Sequence, residues 1–372
     1  MEDRLDIREV HSLDGVSEKD CLAWDRLVQN QPMRTTTWLL TWWKHFQTDN
    51  KELSILLFYE DSELVGVAPL YVDVVGNRRI YRLLGDTGDV CTDHNSWFAK
   101  PGYETRVGCA VGEYFLQNKR WDRLHLLAVD EADATNQALL AYLGPQQLPV
   151  HKQGTLNCWT LPIPESWDDY LSVLSKSHRK RCRRLVRSYF DSDRVAIHEA
   201  TRETYEDVWR VFLNLHALRW GSPERPDGSF SNRRFRAFHE DVSRAFLEQD
   251  RLRLCYMTCD DQPIAAEYQF FDGDTLYAYQ SGIALDSGER QPGNLSLIAT
   301  IQFCIERGIT SLDLLRGDEP YKAHWRASPA ACQDLRIWPD GIANVISAKL
   351  QMGFLDAKQA ASSWWHRSSE SS

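Results

Sequence analysis

The sequence predicts an α/β protein made of two related domains, each with a mixed sheet flanked by helices. Three observations favour this fold class: helix-like and strand-like segments alternate, one pattern of strands occurs in both halves, and 372 residues suffice for two cores. A hydrophobic content of 43% is typical of a folded, soluble chain. The net charge of −10 argues against wholesale binding to nucleic acid or anionic membranes.

The first half opens with a helix predicted from Thr35, where hydroxyl groups can cap free N–H groups and Trp38, Trp42 and Phe46 follow at helical spacing. Next, two apolar runs joined by the acidic turn 60–63 predict a β-hairpin. The remaining predicted elements are a strand at 79–84, a helix at 108–117, a strand at 124–129 and a helix at 134–143.

Proline and glycine residues cluster between residues 143 and 165. Such punctuation predicts a boundary between a domain of residues 1–155 and a domain of residues 160–372. The predicted elements beyond it are helices at 167–174 and 177–190, a strand at 195–199, helices at 205–220 and 233–249, strands at 252–258, 264–271 and 275–281, a helix at 294–307 and a strand at 311–315.

The two halves contain an internal repeat. The segment LSILLFYEDSELVGVAPLYV from Leu53 aligns without a gap to LRLCYMTCDDQPIAAEYQFF from Leu252, and RLHLLAVDEAD from Arg123 aligns to SLDLLRGDEPY from Ser311. Tandem duplication of one α/β domain explains both alignments. The alternative is that any two hairpins look alike at this level.

Several classes of site are disfavoured by the sequence. The nine cysteines are scattered without a CxxC pair, which predicts reduced thiols in a cytoplasm, with neither a zinc site nor a disulfide framework. The N-terminus lacks the apolar core of a signal peptide, and no run approaches the ~20 apolar residues of a membrane span. HExxH, GxSxG, Walker and Rossmann glycine patterns are also absent.

A candidate anion site lies at the predicted strand–turn–helix of residues 275–307. Arg290, Gln291, Gly293 and Asn294 fall at or just before the start of the helix. Free N–H groups, the positive end of the helix dipole and a glycine that permits close approach suit a pyrophosphate. An ordinary loop that contains Pro-Gly is the alternative.

A candidate catalytic turn follows the strand at 311–315, in the segment LDLLRGDEPYKAHW. Tyr321 could protonate a leaving thiolate, while Asp318 or Glu319 could accept a proton from an attacking ammonium. Arg316 and Lys322 in the same segment are candidate substrate-binding residues. The alternative is that Asp318 and Glu319 only cap a short helix.

Four further side chains are candidates for binding substrate. The basic segment 176–187 places Arg179 and Arg183 on one side of a helix, where they could hold a phosphate or carboxylate, although solvated basic helices are common. Glu267 lies in an otherwise apolar predicted strand, so it is either a buried general base or an outward-facing residue. Tyr279 lies on the next predicted strand, near the turn.

Residues 165–340 resemble the CelD/BcsL branch of the GNAT acyltransferases, which is related to the FemAB-like proteins. LLRGDEPYKAHW is the most specific match, and TTTWLLTWWKHF, GVAPL and LLGD extend it more loosely into the first half. The resemblance implies tandem GNAT folds and an N-acetyltransferase-like enzyme that moves an acyl group, most simply acetyl, from acyl-CoA to an amine or hydroxyl. Many such proteins act in cellulose or other exopolysaccharide production.

The resemblance also implies where acyl-CoA would bind. The strand at 276–281 would splay from the strand at 311–315, and the family's pyrophosphate loop maps onto Arg290 to Leu295, where Leu295 replaces a small residue. The donor is therefore expected to bind at residues 290–296, so that Ser296 is also a candidate donor-binding residue. No metal is expected to take part. The first domain would be a degenerate copy, because Ala128-Val129 aligns with Arg316-Gly317. The alternatives are a FemAB-like transferase that uses aminoacyl-tRNA and a non-catalytic scaffold protein.

Overall fold

The computed structural model describes residues 4–28, 31–86, 92–118, 120–285, 291–341, 345–346 and 348–353. Its helices are α1 (Glu18–Leu27), α2 (Thr36–Phe46), α3 (Glu104–Gln117), α4 (Ala134–Leu143), α5 (Trp167–Val173), α6 (Lys176–Leu185), α7 (Tyr205–Trp220), α8 (Arg233–Glu248), α9 (Pro292–Glu306) and α10 (Pro320–His324). A π-helical turn, Val186–Phe190, continues α6. Short 3₁₀ helices occupy Leu13–Gly15, Pro32–Arg34, Gly144–Gln146 and Gly228–Ser231.

The strands are β1 (Asp6–Val10), β2 (Lys51–Glu60), β3 (Glu63–Val75), β4 (Arg78–Leu83), β5 (Phe98–Ala99), β6 (Arg123–Asp130), β7 (Val150–Gly154), β8 (Cys158–Pro162), β9 (Val195–Glu199), β10 (Leu252–Cys259), β11 (Gln262–Asp272), β12 (Thr275–Ile283), β13 (Ser311–Arg316), β14 (Ser328–Ala330) and β15 (Cys332–Ile337). They form two mixed sheets. The first has the order β1-β2-β3-β4-β6-β15-β7, with β5 paired to β3, and the second has the order β14-β8-β13-β12-β11-β10-β9.

The two sheets share one topology. In each, an antiparallel hairpin (β2–β3 or β10–β11) leads to a third strand (β4 or β12), which pairs in parallel with a strand that follows a helix (β6 or β13). The segments of the internal repeat occupy these equivalent hairpins and parallel strands. The predicted class, two related mixed sheets flanked by helices, is therefore confirmed.

The sequence analysis missed β1 and β5, and also the four strands β7, β8, β14 and β15, which lie where the chain passes between the two sheets. β8 follows the Pro/Gly cluster and pairs with β13 in the second sheet, whereas β15 returns from the end of the described chain to lie between β6 and β7 in the first sheet. The boundary near residues 155–160 stays a prediction. The second predicted domain, residues 160–372, nevertheless includes a strand that completes the first sheet.

The two halves also share part of their hydrophobic core. Thr35 caps α2 by accepting a hydrogen bond from the backbone N–H of Trp38 (3.3 Å), so that the helix buries its aromatic stripe as predicted. The Trp38 ring lies edge-on to Phe238 of α8 (5.1 Å between centroids) and to Tyr279 of β12 (5.3 Å). One apolar cluster therefore spans α2, α8 and the second sheet. No helix in the described part of the chain is long and apolar enough to span a bilayer.

Candidate active site

A cavity of about 1120 Å³ opens where β12 and β13 separate. The two strands pair in parallel from Thr275 with Ser311 to Tyr277 with Asp313, and then diverge. On one side Tyr279 is an extra residue in β12 relative to β11, and on the other Leu315 has a left-handed φ of 55°. Such bulges bend strands and interrupt pairing. The splay that the resemblance implies is present in the structure.

One end of the cavity is formed by the N-terminus of α9. Gln291, Gly293 and Asn294, all predicted to bind the donor, line it. Gln291 has a left-handed φ of 52°, and its carbonyl accepts a hydrogen bond from the backbone N–H of Asn294 (2.9 Å). A Cβ atom built on Gly293 meets no atom within 4 Å, so this glycine faces open space. Arg290 lies outside the described residues.

The other two residues of the predicted donor segment point elsewhere. Leu295 is fully buried in the core between α9 and the second sheet. Ser296 is 5% exposed, and its hydroxyl donates a hydrogen bond to Glu267 Oε1 (2.5 Å). Neither residue lines the cavity in the described chain.

Glu267 and Tyr321 both line the cavity. Burial raises the pKa of Glu267, although the hydrogen bond from Ser296 acts in the opposite direction. Tyr321 is 42% exposed overall, but burial of its hydroxyl, followed by the charges of Glu319 and Glu267, raises its pKa to about 12. A carboxyl group with a raised pKa and a protonated phenol therefore face one cavity.

Asp318 has a different setting. Its Oδ1 accepts hydrogen bonds from Asn157 Nδ2 (2.8 Å) and Trp159 Nε1 (2.9 Å), and it is not among the described residues that line the cavity. Partial burial acts to raise the pKa of Asp318, but these hydrogen bonds prevail and lower it. The neighbouring Glu319 occupies the N-cap position of α10, but its side chain makes no capping hydrogen bond, and it lines the cavity.

Lys322 lines the cavity with its ammonium group directed to protein acceptors. Its side chain is 2% exposed, and Nζ donates to the carbonyl oxygens of Leu315 (3.1 Å) and Gly317 (3.0 Å) and lies 3.1 Å from Glu319 Oε2. These three contacts use all three ammonium protons. Lys322 thus fastens the irregular end of β13.

Arg316 ties the cavity wall to the first half of the chain. Its backbone N–H donates to Asp93 Oδ2 (3.1 Å), and its Nε lies 3.2 Å from Asp93 Oδ1. Both residues line the cavity. Asp93 was missed by the sequence analysis because it lies in an irregular segment more than 200 residues before its partner.

Helix α7 supplies three further cavity residues that the sequence analysis did not assign: His216, Arg219 and Trp220. Arg219 donates to the hydroxyl of Ser281 (2.6 Å), and burial lowers the pKa of His216 to about 4. A Cβ atom on Gly282 would lie 2.3 Å from the backbone nitrogen of His216, so this glycine lets α7 approach β12 closely. A glycine near the end of an apolar strand was the available signal.

Of the remaining predicted substrate-binding residues, Tyr279 lies at the cavity and the two arginines of α6 lie elsewhere. Tyr279 lines the cavity and packs in the aromatic cluster, with its hydroxyl 3.3 Å from His239 Nε2. Arg179 donates to the carbonyl oxygens of Ser172 (3.4 Å) and Leu174 (3.2 Å). Arg183, like Arg179, belongs to α6 and does not line the cavity in the described chain; it lies 3.7 Å from Asp168.

A group of potential metal ligands also lies outside the cavity lining. Ligand atoms of His94, Asp130 and Cys158 lie within 4.8 Å of one another. Spacing in the sequence predicts no such site, because the three residues come from separate segments.

Comparisons with known proteins agree with this fold. Residues 176–323 match the family model described as an acetyltransferase (GNAT) domain. The structure of FemX is 11% identical, covers 93% of this chain and 100% of its own, and has a TM-score of 0.62. No curated protein sequence matches the chain.

Two further structures of similar fold are of proteins described as a putative lysylphosphatidylglycerol synthetase and as L-PGS. The C-terminal domain of the putative enzyme from Agrobacterium fabrum is 10% identical, with a TM-score of 0.52 over 90% of this chain and 94% of its own. L-PGS from Bacillus licheniformis is 10% identical, with a TM-score of 0.51 over 94% and 99%. Residues 176–323 are thus similar to a GNAT acetyltransferase domain, and nearly the whole chain shares the fold of the FemX structure.

Proposed function

We propose that the chain is an acyltransferase that moves an acyl group, in the simplest case acetyl, from acyl-CoA to an amine or hydroxyl of a small-molecule or saccharide acceptor. The observation that carries this proposal is the cavity between β12 and β13, because its lining combines the N-terminus of α9 with Glu267 and Tyr321. An extended donor would lie along the gap with its reacting end beside these two side chains.

The α9 end of the cavity suits the phosphates of the donor. Acyl-CoA would supply an acyl thioester on a phosphate-bearing carrier. Gly293 leaves open space for close approach, and the helix N-terminus presents the positive end of its dipole together with Asn294. Arg290, Gln291 and Leu295 of the family's loop pattern complete the proposed segment, with Ser296 behind it.

Two other side chains of the cavity lining suit proton transfer. An attacking ammonium must lose a proton, and the departing thiolate must gain one. Burial favours Glu267 as the acceptor, because a raised pKa makes this carboxylate a better base, and Tyr321 is the proposed donor. Asp318, whose lowered pKa makes it a weaker base, is the second candidate acceptor.

The resemblance to the CelD/BcsL branch supports an acceptor in cellulose or exopolysaccharide production, and the scattered cysteines without a CxxC pair support a setting in the cytoplasm. Arg219 and Arg316 line the cavity and would favour an acceptor with anionic groups, although Asp93 offsets the charge of Arg316.

Calorimetry with acetyl-CoA tests the donor. We expect saturable binding to the wild-type chain and none to Gly293→Trp, because the indole would fill the space in front of α9. Gly144→Trp is the matched control. Gly144 also faces open space, but it directly follows α4 in the first half of the chain and does not line the cavity in the described chain. The Gly144→Trp variant should therefore bind acetyl-CoA normally. Failure of the wild-type chain to bind any short acyl-CoA would contradict the proposal.

A second candidate, aminoacyl transfer from aminoacyl-tRNA, is favoured by the surface of α6. This helix buries His178, Cys182 and Leu185 and exposes a basic face consisting of Lys176, Lys180, Arg181, Arg183 and Arg184. The FemAB-like resemblance supports the same donor. Such a face is suited to a phosphate backbone even in a chain of net negative charge.

Salt-dependent tRNA binding distinguishes the two donors. If tRNA is the donor, the double variant Arg181→Ala/Arg184→Ala should bind more weakly and lower the slope of log K against log salt by roughly 1 to 2. The double variant Arg202→Ala/Arg210→Ala removes the same charge from another exposed surface and should leave that slope unchanged. Equal effects of the two pairs would count against a tRNA site on α6.

A further inference from the structure

Four potential metal ligands meet between the two sheets, and none of them lines the cavity in the described chain. They are His94 from the buried segment 92–97, Asp130 at the end of β6, Cys158 at the start of β8 and Cys332 at the start of β15. Cys332 Sγ lies 3.5 Å from Cys158 Sγ and 3.5 Å from Asp130 Oδ1. His94 Nδ1 lies 2.9 Å from Asp130 Oδ2.

These separations approach those of a tetrahedral zinc site. With the usual bond lengths to zinc, two thiolates are about 3.8 Å apart, and a thiolate and a carboxylate oxygen are about 3.5 Å apart. Two thiolates, an imidazole and a carboxylate are ligand types that zinc accepts. His94, Asp130 and Cys158 already place their ligand atoms within 4.8 Å of one another. Cys332, which contacts Cys158 and Asp130, would have to turn toward His94 to complete the set.

The surroundings of His94 resemble those of a metal-bound histidine. Its second ring nitrogen, Nε2, donates to Asp313 Oδ2 (2.9 Å), and Asp313 Oδ1 in turn accepts a hydrogen bond from the backbone N–H of Leu315 (2.7 Å). A carboxylate behind the imidazole fixes the tautomer that directs Nδ1 at a metal. His94, Cys158 and Cys332 are 7%, 1% and 3% exposed, whereas the Asp130 side chain is 25% exposed and leaves a route of entry.

We propose that His94, Asp130, Cys158 and Cys332 bind one structural Zn²⁺ ion. Binding forms four bonds to the metal. The two thiols release their protons to solvent as they become thiolates, and the His94 ring releases the Nδ1 proton that faces the Asp130 carboxylate in the metal-free chain. With all four positions filled by protein, the ion has no open position for substrate.

The proposed ion would fasten the two sheets together behind the cavity. Asp130 and Cys332 belong to the first sheet and Cys158 to the second, while Asp313 lies at the last paired position of β13 before the splay. Zinc would thus hold the base of the splayed strands in place. This role does not depend on the identity of the donor or acceptor.

Metal analysis of the full chain, purified under reducing conditions, tests the proposal. We expect about one zinc per chain, and a lower unfolding temperature after removal of the zinc by a chelator. Co²⁺ added to the metal-free chain should give tetrahedral d–d bands and thiolate-to-cobalt charge-transfer bands. Cys158→Ser and Cys332→Ser should lose the charge-transfer intensity, whereas Cys109→Ser, which removes a partly buried thiol outside the cluster, should keep it.

Asp313→Asn keeps all four ligands and should weaken Co²⁺ binding by about 10- to 100-fold, even if the cysteine variants do not fold. A folded, reduced wild-type chain with no stoichiometric zinc and no charge-transfer band would overturn the proposal. A disulfide between Cys158 and Cys332 in the unreduced, freshly purified chain would overturn it too.

Discussion

At the scale of single residues, the surroundings of two carboxyl groups near β13 push their pKa values in opposite directions. Burial beside the cavity raises the pKa of Glu267, whereas hydrogen bonds from Asn157 and Trp159 lower the pKa of Asp318. A general base works best when its pKa lies near the operating pH. This contrast favours Glu267, although the sequence pointed first to Asp318 and left Glu267 as either a buried base or an outward-facing residue.

Glu267→Gln should lower kcat/KM for acyl transfer to an amine by about 10²-fold or more. In the wild-type chain the rate should rise with pH as Glu267 loses its proton, with a midpoint above 4.5, because burial raises the pKa from that value. The variant should lack this rising limb. The rate of CoA release against pH, with thermal unfolding as a check of the fold, measures both effects, and an unchanged pH profile would exclude Glu267 as the base.

Tyr321→Phe should lower turnover by about 10²-fold if the phenol protonates the thiolate. KM for the donor should change little, because the ring remains in place. Asp318→Asn serves as the comparison, since it should lower turnover by a similar factor only if Asp318 is the proton acceptor. Turnover that is unchanged in both variants would remove both residues from proton transfer.

At the scale of elements, the end of β13 depends on a side chain from α10. Leu315 has a φ of 55° and Gly317 a φ of 133°, so the strand cannot continue its regular pairing there. The buried Lys322 ammonium compensates by binding the carbonyl oxygens of both residues. A strand end that lines the cavity is thus held by a helix that follows it in sequence.

Lys322→Met should destabilise the chain by about 1 to 3 kcal/mol, because it leaves buried carbonyl groups without a donor. Donor affinity should fall in parallel, since Leu315 and Arg316 line the cavity. Lys176→Met, on the exposed face of α6, is the control and should change neither quantity. Urea unfolding measures the stability, and acetyl-CoA calorimetry measures the donor affinity. If Lys322→Met were as stable as the wild type, the Lys322 contacts to the end of β13 would not be needed for stability.

At the scale of the whole molecule, the two halves are joined by a shared aromatic core and a polar contact. Trp38 of α2 packs against Phe238, Phe270 and Tyr279 of the second half, and its Nε1 donates to Thr92 Oγ1 (2.9 Å). Asp93 and Arg316 add an ion pair across the same boundary. Shared burial of this kind favours cooperative unfolding of both halves.

Trp38→Ala should lower the free energy of unfolding by about 3 to 5 kcal/mol through the cavity it creates. Because the ring contacts both halves, acetyl-CoA affinity should also fall even though Trp38 does not line the cavity. Leu22→Ala, at an exposed position of α1, should have little effect on either. Calorimetric unfolding should give one transition for the wild type. Two separate transitions, of which Trp38→Ala shifts only the first, would contradict the shared core.

The sequence by itself determined the hairpins, the α2 and α9 helices, the repeated strand pattern and the position of Gln291 to Asn294 at the start of α9, because local periodicity and turn residues encode these features. Only the tertiary structure decided that β15 returns to the first sheet, that Asp93 meets Arg316 and that His94, Asp130, Cys158 and Cys332 converge. It also shifted the pKa values of Glu267 and Asp318 in opposite directions, and it directed the Lys322 ammonium at carbonyl oxygens. These features depend on contacts between residues far apart in the chain, and on burial, neither of which a local pattern contains.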